Sequence, residues 1–101
     1  MPAQHSAREL SEIRSELDEV DSRLVLLFEK RMQLCREVAR AKIADGLPVL
    51  DQSREEQVLA SRAAMLTDAS LTDGVRELYQ TMMSISRHEQ EKMMQEAERH
   101  A

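Results

Sequence analysis

Apolar residues recur through the first half of the chain at Leu10, Ile13, Leu17, Val20, Leu24, Leu27, Leu34, Val38 and Ala41, and Arg31 occupies the remaining position of that series. The steps alternate between three and four, the repeat of a helix that lays one edge against other helices. This pattern predicts a first helix that begins near Ser6, an N-cap with Glu9 three residues on. It runs to about Ala44 and stops at Asp45-Gly46-Leu47-Pro48, where Gly suits a C-cap and Pro forbids continuation. A second helix starts at Asp51 or Ser53 and runs to about Leu66, with Glu55 and Glu56 in its first turns. Thr67 to Thr72 is a connector. The third helix opens near Thr72, continues through Met94 and frays after Ala97. One of its faces carries Val75, Leu78, Tyr79, Met82, Ser86, Gln90, Met93 and Ala97, with Ser86 and Gln90 as polar intruders at i, i+4.

These elements predict an all-α fold with three helices per chain, one very long and N-terminal, two shorter. A first helix of roughly 39 residues would be near 58 Å long at ~1.5 Å per residue. A compact domain of this size has a radius of gyration of only about 13 Å. Two shorter helices cannot cover such a seam, so an interlocked helical homodimer is expected. Residues 1–101 make one domain with its core over 7–97, the ends 1–6 and 98–101 being disordered or frayed.

Composition agrees with this reading. Among 101 residues there are two aromatics (Phe28 and Tyr79), two glycines and two prolines, and helix-favouring residues dominate. The net charge of −5 with both signs interspersed argues against a nucleic-acid footprint, which would show a basic face. No apolar run approaches membrane-spanning length, and MPAQHSAREL lacks the apolar core of a signal peptide. The lone Cys35 cannot form an internal disulfide; it reads as a small buried thiol beside the seam, in a cytoplasmic protein. His5, His88 and His100 are scattered without metal-ligand spacing, so no metal site is expected.

Arg31 raises the chemical question. A guanidinium cannot lose its proton to escape burial and needs an anion or a dense set of acceptors. Lys42 lies 11 positions on and points within about 20° of the same direction, ~16 Å along the axis. Asp51 and Glu55 are i, i+4 neighbours on the second helix, whose packing side continues into Val58, Leu59 and Arg62. All three helices thus carry polar groups on core-facing sides, and converging cations with neutral donors describe a pocket for a small polyanion. Arg14 precedes Arg31 by 17 positions, which is about 25 Å along a straight helix and ~100° round it. The two cannot grip one small molecule from the same helix. If Arg14 serves a site, it is the site of a partner chain.

Taken in order, these residues resemble the all-helical chorismate mutases. The resemblance covers roughly residues 10–94 and rests on Ile13-Arg14, Leu17-Asp18-Glu19-Val20-Asp21, Leu26-Leu27-Phe28-Glu29-Lys30-Arg31, Val38-Ala39-Arg40-Ala41-Lys42, Leu47-Pro48-Val49-Leu50-Asp51 and Arg54-Glu55-Glu56. It implies a dimer of three-helix chains with two sites, each borrowing an arginine from the other chain. Carried over by position, Arg31 holds a substrate carboxylate and Arg14 reaches a carboxylate from the neighbouring subunit. Lys42 bridges a carboxylate and the ether oxygen whose bond breaks, and Gln90 donates to that oxygen. Asp51 and Glu55 address the ring hydroxyl, Ser86 a carboxylate, and Arg54 is a supporting arginine. Leu50 departs from relatives that carry a basic residue there, which implies altered affinity. Ser84 is the competing serine, but it lacks a Gln four residues on.

The implied reaction, chorismate to prephenate in aromatic amino-acid biosynthesis, is a unimolecular rearrangement that needs no cofactor. The protein's tasks are to hold the compact conformer and to stabilise charge growing on the ether oxygen. The resemblance also admits removal of pyruvate from isochorismate, or rearrangement of an amino analogue of chorismate, on the same fold. A non-catalytic dimerisation module would explain the seam but not the polar interruptions at Arg31, Ser86 and Gln90. The length suggests a stand-alone enzyme, though a domain excised from a larger one would look the same.

Overall fold

The computed structural model describes residues 8–100. Helix α1 spans Leu10–Asp45, α2 Gln52–Ala64 and α3 Thr72–Arg99, and a 3-10 turn at Ala69–Leu71 leads into α3. Among the described residues there is no strand. The chain divides into two compact units, Met1–Arg31 and Met32–Ala101.

In the first unit, the helix begins at Leu10, later than the expected start near Ser6, which lies outside the described residues. Arg8 and Glu9 are non-helical. The Glu9 carbonyl accepts from the backbone N–H groups of Glu12 and Ile13 at 3.0 and 3.2 Å and so opens the helix. Leu10, Leu17, Val20, Leu24 and Leu27 are each more than half exposed, as are Val25 and Leu26. Successive residues point about 100° apart on a helix. The run Val25-Leu26-Leu27 is therefore apolar on several sides at once.

The second unit holds the last turns of α1 with α2 and α3. Helix α1 ends in a Schellman motif: Leu47 N–H donates to the Lys42 carbonyl at 2.8 Å and Gly46 N–H to the Ile43 carbonyl at 3.3 Å. Gly46 takes φ +68°, the left-handed conformation that makes glycine the favoured residue at this position. Of the two expected starts for α2, the chain uses the earlier boundary, with Asp51 as the N-cap whose carboxylate accepts from Arg54 N–H at 3.0 Å. Asp68 plays the corresponding part for the 3-10 turn, accepting from Ser70 N–H and Oγ at 3.0 and 2.6 Å. Those bonds, side chain first, hold its carboxyl below the usual range. Helix α3 continues to Arg99, past Ala97.

The buried residues of this unit are Met32 and Ala39 from α1, Val58 from α2, and Met83, Ser86 and Gln90 from α3. Val58 is buried with Leu59 and Arg62 half-buried, as the pattern on α2 anticipates. The pattern on α3 needs one correction, and on α1 the side packed within the chain is not the seam. On α3, Leu78 is exposed and Met83, outside the expected stripe, is buried. On α1, Leu34 and Val38 are each 46% exposed and Ala41 is exposed, whereas Met32 and Ala39 are buried with Cys35 and Lys42 half-buried. In these turns the buried side lies about 100° round the helix from Leu34, Val38 and Ala41, so within one chain the seam is not the packed side. Cys35 is accordingly half-buried, not enclosed.

Helix α2 makes the closest backbone approach to α3, while α1 reaches α3 through long side chains. Arg87 of α3 pairs with Glu55 of α2, and Glu89 of α3 pairs with Arg36 of α1 at 3.0 Å. Arg87 and Glu89 are two residues apart and so point to opposite flanks of α3, about 200° round the axis. The face carrying Met83, Ser86 and Gln90 lies between them. Lys92, and after it Arg36, donates to Glu89 and keeps that carboxyl below its usual range.

Candidate active site

The Schellman turn places the residues that matter most. Reversal at Gly46 brings the Val49 carbonyl back onto the end of α1, where Lys42 Nζ donates to it at 2.5 Å. The same ammonium donates to Gln90 Oε1 at 3.1 Å. Gln90 Nε2 in turn donates to Ser86 Oγ at 2.9 Å. Ser86 and Gln90 are 5% and 6% exposed, so both are polar groups inside an apolar layer, and burial there demands partners. The spacing of four on α3 supplies one partner, and Lys42 supplies the other across the helix interface.

This relay has a direction. Lys42 can only donate, so Gln90 must present its oxygen to it and its amide nitrogen to Ser86. Ser86 Oγ then accepts, which leaves its own O–H to be donated elsewhere. The two bonds to Lys42 use two of its three N–H groups, and the bond to Ser86 uses one of the two on Gln90. Each of the three side chains thus keeps one donor beyond the relay. Three donors held by a rigid frame suit an oxygen-rich anionic ligand.

The acidic pair sits at the start of α2. Glu55 is half-buried, its two carboxylate oxygens 2.5 and 2.6 Å from Arg87 Nη1. Asp51 is exposed, and its N-cap bond engages one oxygen. Arg54 is also exposed and donates along α2 to Gln57 Oε1 at 2.6 Å. Ser84 is half-buried beside the buried Ser86. Leu50 is exposed. Arg14 and Arg31 belong to the first unit, where Arg14 is exposed and Arg31 half-buried.

Reading residues alone missed two members of this group. The Val49 carbonyl carries no side-chain signal at all. Arg87 had a signal, since it stands four after the apolar Met83 and three before Gln90, the spacing of a shared face. Among the described residues no group of three His, Cys, Asp or Glu side chains could hold a metal ion, and no helix is long and apolar enough to cross a membrane.

Known proteins bear on what this arrangement is. Residues 13–91 match the family described as chorismate mutase type II, a span that includes every residue of the relay. A stretch of 50 residues, 50% of this chain, is 46% identical to part of a 3-dehydroquinate dehydratase of Pyrobaculum aerophilum and covers 17% of that protein. Over 53 residues, 52% of the chain, it is 40% identical to the T-protein of Haemophilus influenzae, of which 14% is covered. Over 49 residues, 48% of the chain, it is 37% identical to a chorismate mutase of Methanocaldococcus jannaschii, of which 50% is covered. The chain therefore spans half or less of each of these relatives. With a family match across most of its length, and with the relay and acidic pair inside that match, the chain belongs to the chorismate mutase type II family.

Proposed function

We propose that the protein converts chorismate to prephenate, working in the cytoplasm as a homodimer with two shared sites. The observation that carries this reading is the Lys42–Gln90–Ser86 relay, its glutamine and serine buried, whose remaining donors suit a substrate with two carboxylates and an ether oxygen. Lys42 and Gln90 would donate to the ether oxygen as the C–O bond breaks. Ser86 would donate to a carboxylate, and Asp51 and Glu55 would accept from the ring hydroxyl, with Arg54 in a supporting place. Arg31 would clamp one carboxylate, and Arg14 would reach another from the partner chain. The half-exposed apolar series from Leu10 to Leu27 supports a second copy as its cover, because a helix of this kind gains its stability from packing an apolar face.

The magnitudes are adequate. A rate gain of ~10⁶ needs about 8 kcal/mol of differential stabilisation. One preorganised donor at a developing oxyanion contributes roughly 3–4 kcal/mol. Two such donors plus restraint of the reactive conformer reach that figure without covalent chemistry.

The test is incubation of the purified chain with chorismate, following loss of its ultraviolet absorbance and identifying the product by chromatography. Prephenate as the product is expected. Inertness of the folded protein, or turnover of isochorismate with release of pyruvate in place of it, would overturn the reading.

A further inference from the structure

Glu55 poses an electrostatic problem for a site that takes a dianion. Asp51 and Glu55 bring two carboxylates to the start of α2, against Lys42 of the relay, Arg54 and Arg87. A half-buried carboxylate facing a substrate carboxylate would repel it, and partial burial weakens the screening that makes such repulsion small in water. We propose that Arg87 is a positioning residue of this site, neutralising and orienting Glu55 so that an anionic substrate can bind beside it. The inference rests on the reading above, in which Glu55 faces the substrate ring.

The geometry favours this over a simple tie between helices. Arg87 Nη1 sits between both carboxylate oxygens, at 2.5 and 2.6 Å. The side chains are 31% and 24% exposed, so neither end is fully solvated. A carboxylate offers about four lone-pair positions, and these two bonds leave one on each oxygen for a donor such as a ring hydroxyl. Arg87 also comes from the turn of α3 that carries Ser86, so it couples the acidic end of the site to the relay. The second interhelical ion pair, Arg36–Glu89 on the opposite flank of α3, supplies an internal control. It is the same kind of bond, and it touches neither the relay nor the acidic pair.

Steady-state kinetics with chorismate, alongside thermal melts of the full chain, test the proposal. Arg87→Met should raise KM by about tenfold or more, with kcat falling less than about threefold. Arg87→Lys should recover part of that loss. Arg36→Met should lower Tm comparably while leaving KM unchanged. Combining Glu55→Gln with Arg87→Met removes both charges, so the double variant should return KM to that of Glu55→Gln alone. An Arg87→Met variant with parental KM and a lowered Tm would reduce the pair to scaffolding. Purely additive KM effects in the double variant would equally overturn the proposal while leaving Glu55 in the site. Wild-type kinetics in Glu55→Gln would instead remove Glu55 from the site, and the reading beneath it fails there. Should Arg87→Met not fold, the Arg87→Lys and double variants carry the same comparison.

Discussion

Lys42 Nζ lies 3.1 Å from Gln90 Oε1, 48 residues away along the chain. That contact decides which end of the Gln90 amide faces Ser86, and so which atoms of the site remain donors.

Replacing Gln90 by Glu keeps the size and the acceptor facing Lys42, but an ionised carboxylate cannot donate. Gln90→Glu should be active only where that carboxyl is protonated, so its kcat/KM should rise as pH falls while the parent stays nearly flat. A parent-like pH profile in the variant would remove Gln90 from the reacting oxygen.

Lys42→Ala takes away a donor and leaves the Gln90 oxygen and Val49 carbonyl without their ammonium. We expect kcat/KM to fall by at least ~10²-fold, and Arg31→Ala to do the same. Circular dichroism on the same samples separates this from loss of fold.

The proposed sharing of sites between two chains can be tested by mixing variants. Dimers assembled from one Arg14→Ala chain and one Arg31→Ala chain should regain about one intact site, because one of the two pockets then holds both parental arginines. Exchange of subunits, followed by mass spectrometry, without any return of activity would exclude Arg14 from the partner's site.

Asp51 has two tasks that two substitutions can separate. Asp51→Ala loses the α2 cap and should cost about 1 kcal/mol of stability. Asp51→Asn keeps the cap but replaces the other oxygen with an amide that cannot accept from a ring hydroxyl, so denaturant midpoints near the parent value should accompany a raised KM.

Glu89 links acidity to stability. Its carboxyl is held below the usual range by Lys92 and then Arg36. A lowered folded value means that the contribution is present above the unfolded pKa and is lost as pH falls through the folded one. Glu89→Gln should therefore be less stable than the parent at neutral pH, and the difference should close below about pH 4. Melts across that range measure it.

The helices were legible in the residues because periodicity and punctuation are local. Gly46 and Pro48 mark the end of α1, Asp51 caps α2, and the i, i+4 placement of Ser86 and Gln90 marks them as partners on one face. The inner face of α1 was not legible. Leu34 and Val38 continue the seam, yet Met32 and Ala39 are the buried residues, because α1 carries apolar residues on more than one side and only the neighbouring helix selects which of them packs within the chain.

Arg31 shows the same division. Its place in an apolar stripe marks it as a candidate for anion binding, because a guanidinium leaving water needs partners, and the folded chain leaves it half-buried. The sequence by itself therefore determined the helices and the caps at Gly46 and Asp51, each set by interactions within a few turns of chain, and marked candidate residues for an anion. Only the tertiary structure decided that Lys42 orients Gln90, that Val49 returns its carbonyl to Lys42, and that Arg87 holds Glu55. Those bonds join residues far apart along the chain, and their geometry exists only once side chains from different helices are packed within hydrogen-bonding distance.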